Sequence, residues 1–315
     1  MALRFPPSLP NHRRFDVIGF GLNAVDHLIT VPHYPAFNSK VRFLDHQISP
    51  GGQVATAMVG LSRLGMKTRY IGQVGDDEAG KVQIHSLSSE GVDTSLLQTV
   101  YGAKSQIAFI LVERTSGERT IVWDRDDRLD FDPDASSGEM IQCGRILHLD
   151  GHDVPASIRA AQLAHEADMT VVIDVDNVYP HIEELLPLVT CLTTSADFPR
   201  RITGEADLAN ALRLMQRRFG SPLVVVTLGQ EGALALFDNQ WIESPGFAIE
   251  CRDTTGAGDA FRVGFIYGLL LGLGLGETLR VANAVGALNC RALGARGGLP
   301  NRTQLEAFLK NPSRC

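Results

Sequence analysis

The sequence predicts an α/β protein: a parallel sheet in a three-layer αβα arrangement, helices on both faces, with a small β-sheet lid over one end. Three observations carry this. From residue 146 onward, short apolar segments alternate with helical ones. Those apolar segments are near-continuous, as strands buried on both faces are. Two further segments, 28–48 and 105–124, interleave apolar and polar residues like strands with one wet face, and do not fit inside that sheet.

Taken in order, 15–21 (FDVIGFG) is β-branched and aromatic and ends in glycine, which reads as a first buried strand. The segment 28–48 sets Val31, Tyr34, Val41, Phe43 and Ile48 among polar residues and two prolines. Helical spacing follows over 53–64, strand over 69–72 and helix over 77–89. Two extended runs, 107–112 and 120–123, are joined by a turn at Ser116 and Gly117. Then comes the regular rhythm: strand 146–149, helix 156–167, strand 170–174, helix around Glu183, strand 189–193, helix 207–218, strand 223–228. A short strand, 233–237, precedes two helices, 257–271 and 277–293. Such alternation builds parallel βαβ units. The expected organisation is one α/β domain over 15–310, its lid drawn from about 28–48 and 105–124, after a tail, 1–14.

Composition narrows the function. Lys and Arg number 29 against 36 Asp and Glu, a net charge of −7, and the basic residues form no stripe. Such a chain repels a phosphate backbone, so no nucleic-acid partner is expected. The longest uncharged apolar run, 263–276, falls short of the roughly 20 residues a membrane span needs. The tail carries Pro6, Pro7 and Pro10 with Arg13 and Arg14 and lacks a signal's apolar core, so a cytoplasmic location is expected. Five scattered cysteines, Cys143, Cys191, Cys251, Cys290 and Cys315, include no CxxC pair and read as buried thiols.

Three glycine motifs bear on chemistry. GDDEAGK at 75–81 has phosphate-loop spacing, but Val82 stands where a magnesium-binding hydroxyl is needed and three carboxylates would repel polyphosphate; Asp76 and Asp77 fit a turn and helix cap better. GFGLNA at 19–24 resembles a dinucleotide fingerprint without the long helix that must receive the pyrophosphate. DTTGAGD at 253–259 differs from both. It opens a strongly apolar helix, and Gly256, Ala257 and Gly258 leave backbone N–H groups unshielded where helix polarity favours an anion. One cap would start this helix, yet two aspartates and two threonines are invested, with Asp259 inside the first turn. A carboxylate beside an anion-binding turn is placed to accept a hydroxyl proton while the turn neutralises phosphoryl charge.

On these residues the chain resembles the ribokinase-like (PfkB) family of carbohydrate kinases, from Phe15 to about Leu309. The resemblance implies a ribokinase-like fold, with Asp259 as catalytic base and the amides at Gly256, Ala257 and Gly258 as anion hole. Ser49-Pro50-Gly51-Gly52, with the helix ending Arg63-Leu64-Gly65, looks like the family's N-terminal signature, whose glycines let backbone approach a sugar. Asp26 matches the acid that binds substrate hydroxyls. Thr227, Gly229 and Gly232 look like its TxGxxG nucleotide loop, and Asn283 lies where the family borders adenine. Asp253 and Thr255 resemble carbonyl donors of its monovalent-cation site, implying K+ beside ATP and Mg2+.

The chain departs from the pattern twice. Thr56 occupies a position commonly asparagine, and the NxxE segment linked to magnesium reads Ser195-Ala196-Asp197-Phe198, leaving Asp197 to hold metal through water. These replacements resemble the sulfofructose-kinase branch, which makes a phosphorylated or sulfonated ketose a candidate acceptor. Arg125, after the second lid strand, reaches an anionic or hydroxyl group or else joins a surface ion-pair cluster. Asp150 follows a strand at the ligand-binding end and is expected to point to substrate, with His148 packed. The expectation is an ATP-dependent kinase acting on a sugar hydroxymethyl group, paired as a homodimer through the lid. Two rivals are a nucleoside kinase, stacking a base on Tyr34, Phe37 or Phe43, and a nucleotide- or sugar-binding protein that has lost transfer.

Overall fold

The computed structural model describes residues 5–311; part of the expected tail, 1–4, and Cys315 lie outside the described residues. In chain order the elements are β1 (Phe15–Phe20), β2 (Ala24–Val31), β3 (Asp45–Gly51), α1 (Gln53–Arg63), β4 (Thr68–Gly75), α2 (Glu78–Ser88), β5 (Asp93–Val100), β6 (Ile107–Glu113) and β7 (Arg119–Asp124). There follow α3 (Gly138–Ile141), β8 (Gly144–Leu149), α4 (Val154–Glu166), β9 (Thr170–Val175), α5 (Ile182–Leu185), β10 (Cys191–Ser195), α6 (Asp197–Thr203), α7 (Leu208–Phe219) and β11 (Leu223–Thr227). The chain ends with β12 (Ala233–Phe237), β13 (Gln240–Ser244), α8 (Ala257–Leu270), α9 (Leu275–Asn289) and α10 (Arg302–Lys310).

Nine strands form the main sheet in the order β13-β12-β11-β10-β9-β8-β1-β4-β5. Every pairing from β11 to β5 is parallel; β12 and β13 are antiparallel additions at one edge. The continuous apolar runs follow from burial on both faces. Val17, Leu223 and Val225 enter a core with α1, α8 and α9, while their neighbours Ile18, Val224 and Val226 enter a second core with α4, α6 and α7. Successive residues of one strand thus serve opposite cores, the period of two that a strand imposes. Each buried Val, Leu or Ile stabilises the sheet by about 1.5–3 kcal/mol.

The half-wet segments form a separate four-stranded sheet, β3-β2-β6-β7. Ile48, His27, Phe109 and Val122 lie in one row across it. Ile48, Phe109 and Val122 are exposed, whereas Leu28, Ala108 and Ile110 on the other face are buried. Asp26 shares that inner face. The lid strands run over 24–31, 45–51, 107–113 and 119–124, so the middle of the expected segment, 32–44, is irregular.

Five elements escape the sequence reading, among them the short helices α3 and α6. β5 and β13 are edge strands with mixed patterns, and α10 begins at a capping box in which Asn301 and Gln304 exchange side-chain bonds with each other's backbone N–H. Cys251 is exposed and Cys143 half-buried, correcting the expectation that all the thiols are buried. No helix among the described residues is long and apolar enough to cross a membrane. The carboxyl ends of β1, β8, β9, β10 and β11 point the same way, the end at which open α/β sheets bind ligands.

Candidate active site

The turn before α8 is built by its own aspartate. Asp253 is buried, its Oδ1 accepts from Thr255 N at 2.8 Å, and its Oδ2 accepts from Gly294 N at 2.8 Å. Gly256 then takes φ 71°, and a Cβ there would lie 2.6 Å from Ala295 Cα, so only glycine fits. Of the three expected donors, Ala257 N–H is already bonded to Thr254 O at 3.1 Å, and Ala260 closes the first helical turn on Gly256 O. The amides of Gly256, Gly258 and Asp259 have no acceptor among the described residues. The unsatisfied donors of this helix start are therefore those three, with Ala257 spent on the turn.

Asp259 sits in the first turn of α8. A helix start alone would pull its pKa down. Burial wins instead and pushes it up to about 6, although Arg262, Arg119 and Arg296 oppose the rise. Arg262, one turn further, is buried with Asp174: Nη2 to Oδ1 is 2.6 Å, and Nε donates to Thr193 Oγ1 at 3.1 Å. Burial raises Asp174 as well.

Asp26, on β2, is buried, and its carboxyl rises to about 7, first through burial and further through the charges of Asp259 and Asp253, against the pull of Arg296. Asp26 thus lies within the field of Asp259, and the carboxylate that raises Asp259 is Asp176. Gly51 makes room for this carboxylate: a Cβ on Gly51 would fall 2.0 Å from Asp26 Oδ2. Gly52, with φ 87°, starts α1, and a Cβ there would strike Asn23 Cα at 2.5 Å.

Other expected residues have different tasks. Thr56 is fully buried, and its hydroxyl accepts from Arg296 Nε at 3.1 Å, so it faces an arginine where a sugar contact was expected. Asp150 is buried beneath the turn after β1, accepting from Leu22 N at 2.6 Å and His152 N at 3.1 Å, and so braces the turn that carries Asn23. His148 is packed, with Nδ1 3.3 Å from Val172 O. Arg125 turns inward, pairs with Asp130 and donates to Leu129 O, and lines a small cavity with Asn23, Gln106 and His152. The surface cluster beside it is the Asp126–Arg128 pair.

Thr227, Gly229, Gly232 and Asn283 line one cleft of about 700 Å³, which Ala257, Gly258 and Arg119 close at the α8 end. Thr227 Oγ1 donates to Thr194 O at 3.3 Å. Asn283 Nδ2 donates to Ser244 O at 2.9 Å and Pro245 O at 3.1 Å, so Asn283 shapes the wall through β13. Asp197 does not line this cleft. Its side chain is 71% exposed and faces Arg201 at 3.8 Å, while Phe198 enters the core. No group of three or more His, Cys, Asp or Glu among the described residues could hold a metal ion. The carbonyl of Thr255 accepts from Asn289 Nδ2 at 3.3 Å. Of the rim aromatics, Phe37 and Phe43 are exposed, and Tyr34 donates to Leu111 O at 3.1 Å.

Sequence reasoning missed three arginines. Arg262 carried a usable signal, lying three residues after Asp259 on a helix. Arg119, on the lid strand β7, reaches across to Thr254 Oγ1 at 2.7 Å. Arg296, in the loop 290–301, binds residues distant in sequence and gave no local sign.

The sequence profile of the pfkB family of carbohydrate kinases matches residues 20–302. The chain is 28% identical over 293 residues to the ribokinase of Haemophilus influenzae, covering 91% of this chain and 95% of that one. It is 25% identical over 323 residues to a 5-dehydro-2-deoxygluconokinase of Clostridium botulinum, covering 95% and 94%. The solved structure of Arabidopsis thaliana ribokinase complexed with ribose and ATP superposes with a TM-score of 0.82 at 22% identity, covering 94% and 99%, a likeness of fold.

Proposed function

The chain belongs to the pfkB family of carbohydrate kinases, and from that premise we propose that it transfers the terminal phosphoryl group of ATP to a hydroxymethyl group of a sugar or sugar derivative. The observation that carries the reading is Asp259 in the first turn of α8, its charge felt by the buried Asp26, at a helix start whose Gly258 lines the cleft with its amide free.

Each residue has a physical task. ATP lies along the cleft of Thr227, Gly229 and Gly232, its terminal phosphate at the amides of Gly256 and Gly258. Asp26 and the backbone of Gly51 and Gly52 orient the acceptor. Asp259, largely ionised at neutral pH with a pKa of about 6, takes the hydroxyl proton. A loose transition state demands little basicity, so catalysis is mainly alignment and charge stabilisation. Arg119 on the lid adds a cation at the mouth of the phosphate site, so a closed lid completes it.

Magnesium, when bound with the nucleotide, neutralises phosphate charge. Asp197 faces solvent and Arg201 and does not line the cleft, so in this reading this chain's share of that task falls to the amides and Arg119. A monovalent cation would take the Asp253 and Thr255 carbonyls, the latter shared with Asn289. The exposed row of Ile48, Phe109 and Val122 fits pairing with a second lid.

The test is ADP release screened over ketoses, aldoses, their monophosphates, sulfosugars and nucleosides. Release with a sugar carries the reading, and release with nucleosides alone moves the acceptor class. No release with any acceptor would leave a binding protein.

A further inference from the structure

We propose that Arg296 is a positioning residue of the acceptor site, a guanidinium sealed behind the Gly51–Gly52 turn that fixes where the acceptor lies relative to the phosphate-binding turn. The inference rests on the kinase reading above. Arg296 is 4% exposed. Its fork reaches four acceptors: Nε donates to Thr56 Oγ1 at 3.1 Å, Nη1 to Ser86 Oγ at 3.1 Å, and Nη2 to Gly51 O at 2.5 Å and Asn23 Oδ1 at 3.4 Å. All four are neutral. Arg262, the other buried arginine nearby, pairs directly with Asp174; Arg296 forms no ion pair among the described residues.

A buried guanidinium without a carboxylate in contact carries a large desolvation penalty, and an apolar side chain of similar volume would fill the same space without it. Packing alone therefore does not account for Arg296. What offsets the penalty is the field of Asp26 and Asp259, which holds it charged although burial brings it down to about 10. The same field acts in reverse: Arg296 opposes the rise of both carboxyls without bonding to their oxygens.

The neighbours of Arg296 complete the connection. Gly294 N donates to Asp253 Oδ2 at 2.8 Å, and Ala295 packs on Gly256 so closely that a Cβ could not be added. Three consecutive residues therefore touch Asp253, Gly256 and the Gly51 turn in sequence. They form a strut between the phosphate-binding and acceptor halves, and phosphoryl transfer depends on that spacing. Arg296 also sets the amide of Asn23. A guanidinium only donates, so Oδ1 faces it, and Nδ2 is left buried and unpartnered on the cavity beside Gln106, a donor for one acceptor hydroxyl.

The experiment compares wild type with Arg296→Met and Arg296→Lys, using whichever of D-ribose, D-fructose and adenosine supports ADP release, and titrating a fluorescent ATP analogue in parallel. Arg296→Met is expected to raise the acceptor KM about tenfold or more and lower kcat by a similar factor, leaving nucleotide affinity within about threefold. Arg296→Lys keeps the cation and loses the fork, and should recover part of the acceptor affinity. If Arg296→Met does not fold, Thr56→Val removes one arm of the fork at constant volume and should raise the acceptor KM about threefold. An acceptor KM unchanged in these variants, with wild type active, overturns the inference alone. Weakening of nucleotide and acceptor to the same degree, unrelieved by lysine, reduces Arg296 to a structural role. Wild type that releases no ADP and shows no thermal shift with any of the three acceptors removes the kinase reading and this inference together.

Discussion

Replacing Asp259 by asparagine should stabilise the fold while abolishing transfer. Burial raises the Asp259 carboxyl from 3.8 to about 6, so the folded state binds a proton more tightly than the unfolded chain does. The protonated acid's stability contribution is full below pH about 4 and is lost as pH rises through 6. At about 1.4 kcal/mol per unit, holding this carboxylate ionised at pH 8 costs the fold about 3 kcal/mol. Asparagine matches the protonated acid in shape and never ionises. Asp259→Asn should therefore melt about 4 °C higher than wild type at pH 8, on the usual entropy of unfolding per residue, with no gain at pH 4. Scanning calorimetry across pH 4–8 reads the difference. The same variant should lose about 10³-fold in ADP release, in the range of a general base. In wild type the protonation of Asp259 below pH about 6 should add roughly tenfold per unit to the acid-side loss of acceptor kcat/KM, while in the variant only the Asp26 titration near 7 remains. A variant no more stable than wild type at pH 8, or one turning over normally, would refute the placement of a half-buried base at this helix start.

Three further outcomes bear on the site. Gly256→Ala forces a Cβ onto Ala295 at a left-handed φ and should cost about 2 kcal/mol or more in denaturant unfolding, together with most of the activity; an unchanged midpoint would contradict the packing. Arg119→Met should lower kcat about 100-fold with the acceptor KM nearly constant, as expected of a cation that acts on transferring charge; a rise confined to KM would make it a binding residue only. Asp197→Ala should leave the magnesium dependence of ADP release within about twofold, and a shift of tenfold or more would return Asp197 to the metal.

The fold was legible because burial on both faces writes continuous apolar strands, and the lid because a half-wet sheet writes alternation. Edge strands β5 and β13 carry neither pattern. In the site, local chemistry was legible and long-range chemistry was not. DTTGAGD announces a helix start with an acid inside it, and Asp26 lies five residues past a glycine-ended strand. Thr56 and Asp150 were sought at the right strand and helix ends, but their polar atoms serve Arg296 and Leu22, which a sequence without contacts cannot show. Asp197 shows how strict helical register is: one residue separates it from Phe198, and about 100° of rotation carries one into solvent and the other into the core. Arg296 bonds to residues up to 273 positions away, so no window around it holds the signal.

The three arginines explain how two carboxylates in one pocket can both remain useful. Burial raises both; the charge of Asp259 raises Asp26 further, and that of Asp176 raises Asp259, so without opposing cations both carboxyls would hold their protons more tightly still. A cation in direct contact would cure this but would occupy the oxygens the acceptor needs. The structure separates the two demands. Arg262 is bound to Asp174, Arg296 is turned toward neutral acceptors, and Arg119 approaches from the lid, so positive charge reaches the carboxylates as field without contact. Of these, only Arg119 belongs to the lid. If closure brings it nearer, the Asp259 proton affinity falls and the phosphate site gains its cation together, so base strength and transfer are matched when acceptor is covered and water is out.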